Sequence, residues 1–284
     1  MNTPLLPLTL AAALLASACT TVAPASQPPT SAEQVGELRP GSGYLRGYLE
    51  RSELPDSLAL LPPPPAQGSA ALAADEQAFR TLTALRGGER GVQAYKDAQL
   101  KFPQAASAFS CALGVEVSQK NTPHLNMLLR RTLGDAGLAT YKAKDKYQRI
   151  RPFVAFKQAT CTPEDEAALS KDGSYPSGHS AIGWAWALVL TEAAPERGDA
   201  LLQRGRAFAQ SRGVCGVHWL SDIEAGRLVG SAAVARLHGN AVFQAQLAAA
   251  RQEIAQARQK GWVPAAESCA AEAQALKTSV QLAP

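Results

Sequence analysis

Three short segments of this chain gather most of its chemically useful side chains. The first is Lys144-Asp-Lys-Tyr-Gln-Arg-Ile-Arg151-Pro152. The second is Gly173-Ser-Tyr-Pro-Ser177-Gly178-His179, and the third runs from Ser211-Arg212 to His218 and Asp222. Ser177-Gly178-His179 stands directly before a long apolar run. If that run is a helix, its first N–H groups lack intrahelical partners and carry the positive end of the dipole. Gly178 lets a ligand approach that backbone, so a phosphate or another tetrahedral oxyanion suits the position. His218 and Asp222 are four residues apart and share one face if they lie on a helix. A carboxylate on one imidazole nitrogen fixes the tautomer and leaves the other nitrogen to attack or to accept a proton. Lys144, Arg151 and Arg212 are cations beside apolar stretches, and a bound oxyanion would pair all three. Each feature alone also has an ordinary explanation: a serine N-cap, a surface His/Asp pair, or solvated cations.

The elements that must carry these residues are helical. Leu72, Phe79, Leu82 and Leu85 recur near helical spacing and stop at Gly87-Gly88. A second helix is expected from Glu89 to Leu100, ended near Pro103, and Phe109 to Val117 forms a short apolar piece. Thr122-Pro123 starts another, with Thr122 as N-cap and Pro in the first turn, running toward Tyr147 with Gly134 and Gly137 as close-packing points. Residues 158–177 read as a loop with one short helix. His179 to Ala194 is apolar all round, which marks a core helix, and its length of about 15 residues is short for a membrane span. Helices follow from Pro195 to Arg212, from His218 to Leu237 and, last, from Ala241 to Lys260. Runs of alternating β-branched residues are absent. The expectation is an all-α, single-domain helical bundle with one core.

Composition narrows the classes further. With 284 residues, 46% hydrophobic and 18% charged, the chain can bury a core, so disorder over most of its length is excluded. A net charge of +4 and 6% aromatic residues argue against a nucleic-acid partner. Residues 1–19 read as an export signal: Leu5 to Ala18 is uncharged and mostly apolar, and Ala16-Ser17-Ala18 fits a cleavage site. Cys19 directly afterwards is where a bacterial lipoprotein is lipidated. The n-region lacks Lys and Arg, however, and position 16 is Ala where Leu is usual. Residues 20–40, rich in Pro, Ser, Thr and Ala, read as a flexible linker, and 41–284 as the catalytic domain. Four further cysteines, Cys111, Cys161, Cys215 and Cys269, suit two disulfides in an oxidising compartment. Three pairings exist; the one expected is Cys111–Cys161, leaving Cys215 and Cys269. No C-x-x-C spacing suggests zinc.

Taken together, the three segments give K-x6-R-P, then P-S-G-H, then S-R-x5-H-x3-D, with every fixed position filled. In this the chain resembles the type 2 phosphatidic acid phosphatase superfamily, and in particular the bacterial class A non-specific acid phosphatases. The run Gly173 to His179, Leu61-Pro-Pro-Pro-Pro65, Arg149-Ile-Arg-Pro-Phe153 and Ser221 to Ser231 carry that resemblance, which extends from about Tyr44 to Lys260; Ser180 stands where the group usually has Thr. The resemblance implies a helical bundle with its site at helix ends, no metal or other cofactor, and a phosphohistidine mechanism. On the matching positions, His218 would be the nucleophile, Asp222 its orienting carboxylate and His179 the acid and base. Lys144, Arg151, Ser177, Gly178 and Arg212 would hold the phosphoryl oxygens. The residues themselves do not decide which histidine attacks.

The function so implied is a periplasmic acid phosphatase of broad specificity. Its substrates would be nucleotides, sugar phosphates and aryl phosphates, with phosphotransfer to alcohols as a side activity. Alternatives that share the motif are a vanadium-dependent haloperoxidase, usually longer, and a lipoprotein acting on lipid phosphates. A further one is an anion-binding protein with a decayed site, which the complete motif disfavours. His124 and His238 lie outside the motifs and read as structural or surface residues. A homodimer is expected on the frequency of symmetric assemblies.

Overall fold

A computed structural model describes residues 27–277 and Ser279. The export signal, Cys19 and the first part of the linker lie outside the described residues. Among the described residues, nine helices of seven or more residues carry the fold: α1 (Ala70–Thr83), α2 (Glu89–Ala98), α3 (Pro123–Leu138), α4 (Tyr141–Tyr147), α5 (Gly178–Ala193), α6 (Gly198–Val214), α7 (Leu220–Leu237), α8 (Ala241–Gln259) and α9 (Ala266–Leu276). Among the described residues the only β pairing is an isolated antiparallel bridge between Glu37 and Leu45. No described helix is long and apolar enough to cross a membrane. The linker segment contains a single turn of helix, Ala32–Val35, closed by a capping box from Ser31 and Gln34.

α5 is the hub. It is apolar on every side because α3, α6, α7 and α8 pack around it. Trp186, Val189 and Leu190 are fully buried, and each such side chain contributes about 1.5–3 kcal/mol by leaving water. The two indoles keep their polar ends satisfied: Trp186 donates to the Leu129 carbonyl at 2.8 Å and Trp184 to Ser231 Oγ at 2.9 Å. α7 lies very close to α5. A Cβ on Gly226 would stand 2.4 Å from the Ser177 carbonyl oxygen. That approach brings the first turn of α7 against the first turn of α5, where the Ser177 N–H bonds the Asp222 carbonyl at 2.9 Å.

Four expectations need correction. The disulfides join Cys111 to Cys269 and Cys161 to Cys215, not Cys111 to Cys161. The fold brings the C-terminal helix α9 back onto the short helix Ser110–Leu113, a meeting that spacing alone does not reveal. The helix begun at Pro123 does not run unbroken to Tyr147; it breaks at Ala139–Thr140 between α3 and α4. Nor does Thr122 cap it with its side chain. Thr122 Oγ1 turns back to the Glu116 and Ser118 carbonyls, while Glu253 of α8 accepts the N–H groups of His124 and Leu125 at 3.0 and 2.8 Å. Finally, Ala241–Gln259 is not the last helix, since α9 follows it.

Candidate active site

All eight residues singled out from the motifs meet at one end of the bundle, around the first turn of α5. Ser177 is the N-cap of α5; its hydroxyl accepts from the Ser180 N–H and from the Ser180 hydroxyl. Gly178 follows at the first helical position. An added Cβ there would meet only Thr140 Oγ1, at 3.8 Å, so no protein neighbour demands glycine; Gly178 lines the cavity.

His218 is not on α7, as the four-residue spacing to Asp222 suggests. It lies two residues before the helix, in the turn that Gly216 opens with a positive φ of 76°. Asp222 is the third residue of α7 and closes that turn by accepting the Trp219 N–H at 2.8 Å. The pair still meets, with His218 Nδ1 3.4 Å from Asp222 Oδ2. The Cys161–Cys215 disulfide and the bond from the Phe153 N–H to the Gly216 carbonyl fix the turn to the segment that carries Arg151.

The tautomer of His218 follows from its neighbours. Its Nε2 is 3.0 Å from Arg151 Nη1, and a guanidinium can only donate. Nε2 therefore carries the lone pair and Nδ1 the proton. Nδ1 faces both Asp222 and Ser174 Oγ, the latter at 3.3 Å, and Ser174 in turn donates to Asp222 Oδ2. Burial, then the charges of Arg151, Lys144 and Arg212, hold His218 well below the usual imidazole range, so it is neutral. His179, half-buried at the cavity wall, has its Nε2 3.0 Å from the Ala98 carbonyl, which can only accept. This leaves Nδ1 to exchange a proton with a ligand. Burial and Arg212 hold its basicity well below the ordinary value too.

Three buried cations surround the pair. Lys144 of α4 donates to the Gly173 carbonyl at 2.7 Å, and burial, with Arg151, pulls its ammonium down to about 8. Arg151 bonds the Leu169, Asp172 and Val217 carbonyls besides His218. Arg212, in the last turn of α6, is 1% exposed, and its Nε and Nη1 have no hydrogen-bond partner. Burial and the nearby Arg151 lower it to about 9. One carboxylate pairs directly with this cluster: Asp172 lies 3.1 Å from Arg151 and 3.7 Å from Lys144. Asp222 acts on Lys144 and Arg151 from farther off, and Arg212 has no ion pair, so a buried guanidinium is left for which an oxyanion would be the partner.

Four contributors escape a reading based on the motifs. Arg149 holds the other oxygen of Asp222 at 2.6 Å and bonds Asp75 of α1 at 2.7 Å. Asp75, buried, also accepts the N–H and hydroxyl of Ser221. Ser174 bridges His218 and Asp222, and Asp172 is the internal counter-ion. Arg149, Ser174 and Asp172 fall within or beside the quoted segments, so their signal was proximity to motif residues. Asp75 lies far off in sequence and gives none. Among the described residues, no group of three or more His, Cys, Asp or Glu stands where it could hold a metal ion. His124 and His238 sit away from the site, bonded to Gln246 and Glu192. Trp219 donates to the Ile150 carbonyl and packs among Phe79 and Phe156.

Comparisons with known proteins bear on the family. Residues 125–243 match the sequence model of the PAP2 superfamily. A non-specific acid phosphatase of Providencia stuartii is 52% identical over 73% of this chain and 84% of its own length. An acid phosphatase of Zymomonas mobilis is 41% identical over 74% of this chain and 79% of its own. A non-specific acid phosphatase of Salmonella typhimurium is 46% identical over 68% and 78%. Among solved structures, a bacterial vanadium-dependent iodoperoxidase aligns at 20% identity over 72% of this chain and 61% of its own, with a TM-score of 0.43, a likeness from which nothing about function follows.

Proposed function

The chain belongs to the PAP2 superfamily, and within it to the class A non-specific acid phosphatases, and from that premise we propose that it hydrolyses phosphate monoesters through a phosphohistidine formed on His218. The observation that carries this reading is the gathering of three buried cations, Lys144, Arg151 and the unpaired Arg212, around a neutral imidazole whose Nε2 lone pair faces Arg151.

In the first step, the phosphoryl oxygens take over the donors of Lys144, Arg151, Arg212 and the first N–H groups of α5 at Gly178. Arg151 must then release Nε2. That nitrogen attacks phosphorus in line; the P–N bond forms as the bond to the ester oxygen breaks. His179, protonated on Nδ1, gives that proton to the leaving alkoxide. The developing positive charge on His218 is met by Nδ1–H bonding to Ser174 and Asp222. In the second step, His179 takes a proton from water, the water oxygen attacks phosphorus, and the P–N bond breaks to release orthophosphate. An alcohol in place of water gives phosphotransfer. Because burial and Arg212 depress His179, the acid step needs low pH or the charge of bound phosphate to protonate it, so activity is expected to rise toward acid.

The test is hydrolysis of p-nitrophenyl phosphate across pH, with and without EDTA, beside His218→Ala. EDTA-resistant activity that rises toward acid and disappears in the variant supports the reading; activity that survives the substitution nearly intact refutes it.

The same reading assigns residues 1–19 to export, Cys19 to lipidation, residues 20–40 to a tether and 41–284 to catalysis in the periplasm. The two disulfides support an oxidising compartment. Fractionation and fatty-acid labelling of the intact chain beside Cys19→Ala test this. A homodimer is the assembly proposed, checked by the mass in solution.

A further inference from the structure

Asp75 is 2% exposed and lies 74 residues ahead of Arg149, in a helix that carries none of the three motif segments. Its two oxygens hold different groups. Oδ1 accepts the Ser221 N–H at 2.8 Å. That N–H belongs to the first turn of α7 and has no partner within the helix, so a carboxylate from α1 closes the helix that carries Asp222. Oδ2 accepts from the Ser221 hydroxyl at 2.6 Å and from Arg149 Nη2 at 2.7 Å. One side chain thus ties down both the backbone beside Asp222 and the guanidinium that holds the Asp222 carboxylate.

The orientation of Asp222 depends on that guanidinium. Oδ2 is the oxygen turned to His218: it accepts from Ser174 and from the Trp219 N–H, and His218 Nδ1 lies 3.4 Å away. Oδ1, in a fully buried side chain, accepts from Arg149 Nη1 at 2.6 Å. A buried carboxylate oxygen stripped of its donor turns toward another one, and Oδ2 would then swing away from the imidazole. Arg149 is itself held at several points. Nη1 also donates to the Ser221 hydroxyl at 2.7 Å, Nη2 bonds Asp75, and Cζ lies 5.2 Å from the Trp219 ring centroid. One cation between two carboxylates also leaves the trio negative, on the side of His218 where positive charge is met as the P–N bond forms. Asp75, Arg149 and Ser221 do not line the cavity beside His218.

We propose that Asp75 is a positioning residue for phosphoryl transfer: through Arg149 and Ser221 it holds Asp222 in the orientation in which Oδ2 meets the positive charge that forms on His218. This rests on the phosphohistidine reading and adds to it a residue outside the three segments. Asp75 touches neither the substrate nor the reacting atoms. Its loss slows formation of the P–N bond. The grip on the phosphoryl oxygens belongs to Lys144, Arg151, Arg212 and Gly178, and it stays as it was.

The test measures kcat, KM and the inhibition constant of inorganic phosphate, with p-nitrophenyl phosphate as substrate. Wild type is compared with Asp75→Asn, with Arg149→Lys and with the variant carrying both. Asparagine keeps the shape and one acceptor for the Ser221 N–H, but it turns an amide N–H toward Arg149. Lysine keeps the charge and replaces the two-nitrogen fork with a single ammonium. In each single variant kcat falls about tenfold, less than the 10²–10³ lost with a donor that touches the transition state, while the phosphate inhibition constant changes less than about twofold. Both substitutions open the same bridge, so the double variant stays within about threefold of the slower single one. Arg149→Lys keeps the proposal open to refutation should Asp75→Asn not fold. A kcat within about twofold of wild type in either single variant overturns it. So does a phosphate inhibition constant that rises in step with the loss of kcat, which marks a general loosening of the site, and so do losses that multiply in the double variant. An inactive wild type, or an active His218→Ala, refutes the phosphohistidine reading itself. An active wild type with a dead His218→Ala and an unimpaired Asp75→Asn overturns this proposal alone.

Discussion

Two clusters of buried charge sit a short distance apart in this bundle, and they are built on opposite principles. In one, Arg204 of α6 is paired with Asp97 of α2 and, at 3.1 Å, with Glu272 of α9. Arg90 bonds Ser211 and the Ala207 carbonyl, and Ser211 donates to Asp97 at 2.5 Å. Two guanidinium groups face two carboxylates. Burial works against the Arg204 charge, but Asp97 and Glu272 outweigh it and hold the guanidinium above its ordinary value. In the other cluster, Lys144 and Arg151 pair directly only with Asp172 and Arg212 has no ion pair, and burial with the nearby Arg151 lowers Lys144 to about 8 and Arg212 to about 9. The balanced cluster joins three helices. The unbalanced one is complete only with an anion. Adjacent residues divide between them: Ser211 serves the first and Arg212 the second.

The comparison can be broken most sharply at the two arginines. Arg212→Ala is expected to lower kcat/KM by about 10²–10³, as loss of a transition-state charge donor does, while the ligand-free Tm holds or rises. Arg204→Ala is expected to destabilise the fold by about 3–5 kcal/mol, because it strands Asp97 and Glu272. Kinetics and denaturant unfolding of both variants check this. Similar Tm losses in the two would erase the distinction.

Ligand linkage gives the next largest effect. Vanadate at a hundred times its Kd should stabilise the wild type by about 2.7 kcal/mol and the Arg212→Ala variant by much less at the same concentration. Calorimetric scans with and without vanadate measure it, and equal stabilisation of both proteins would place the anion elsewhere.

A pH effect follows from His218. Its folded-state pKa is depressed, so the unfolded chain takes up a proton near 6.5 that the native chain refuses. Stability is therefore present above that pH and is lost below it, at about 1.4 kcal/mol per pH unit for this histidine. Unfolding free energies of wild type and His218→Asn between pH 7 and 5 should differ by that slope. Parallel curves would show that the imidazole is not held neutral.

The smallest expected change is at Asp172. This carboxylate already partners Lys144 and Arg151, so it competes with phosphate for them. Asp172→Asn should lower the inhibition constant of inorganic phosphate by a few-fold, roughly the worth of one partly exposed ion pair. A raised constant would instead make Asp172 a brace for the cations.

The legibility of the molecule in its sequence divides along similar lines. Helices whose signals are local were readable: the apolar run of α5 and the Ser177 cap, while α1 stops at Thr83, ahead of the expected Gly87-Gly88, and Gly88 instead stands at the N-cap of α2. The set of eight motif residues, which the fold brings together, was readable as well. Features that depend on distant parts of the chain were not. The cap of α3 comes from Glu253, and Asp75 reaches the site from α1. The disulfide partners of Cys111 and Cys161 are set by how α9 and the His218 turn fold back. The His218–Asp222 spacing gave a true contact for the wrong reason, because Asp222 caps the turn on which His218 stands. Ser174 and Arg149 stand inside the quoted segments, but no spacing or residue-type argument gives them a role; their partners, Asp222 and Asp75, are met only in the fold.

The central claim is that the unbalanced cluster presents phosphorus to His218. Acid-sensitive, alkali-stable label trapped by rapid quenching with a ³²P-labelled phosphomonoester, followed by peptide mapping, tests it most directly. Label is expected on the peptide containing His218 and none in His218→Ala. Label on another residue, or full-rate hydrolysis with no labelled histidine at any quench time, would contradict it.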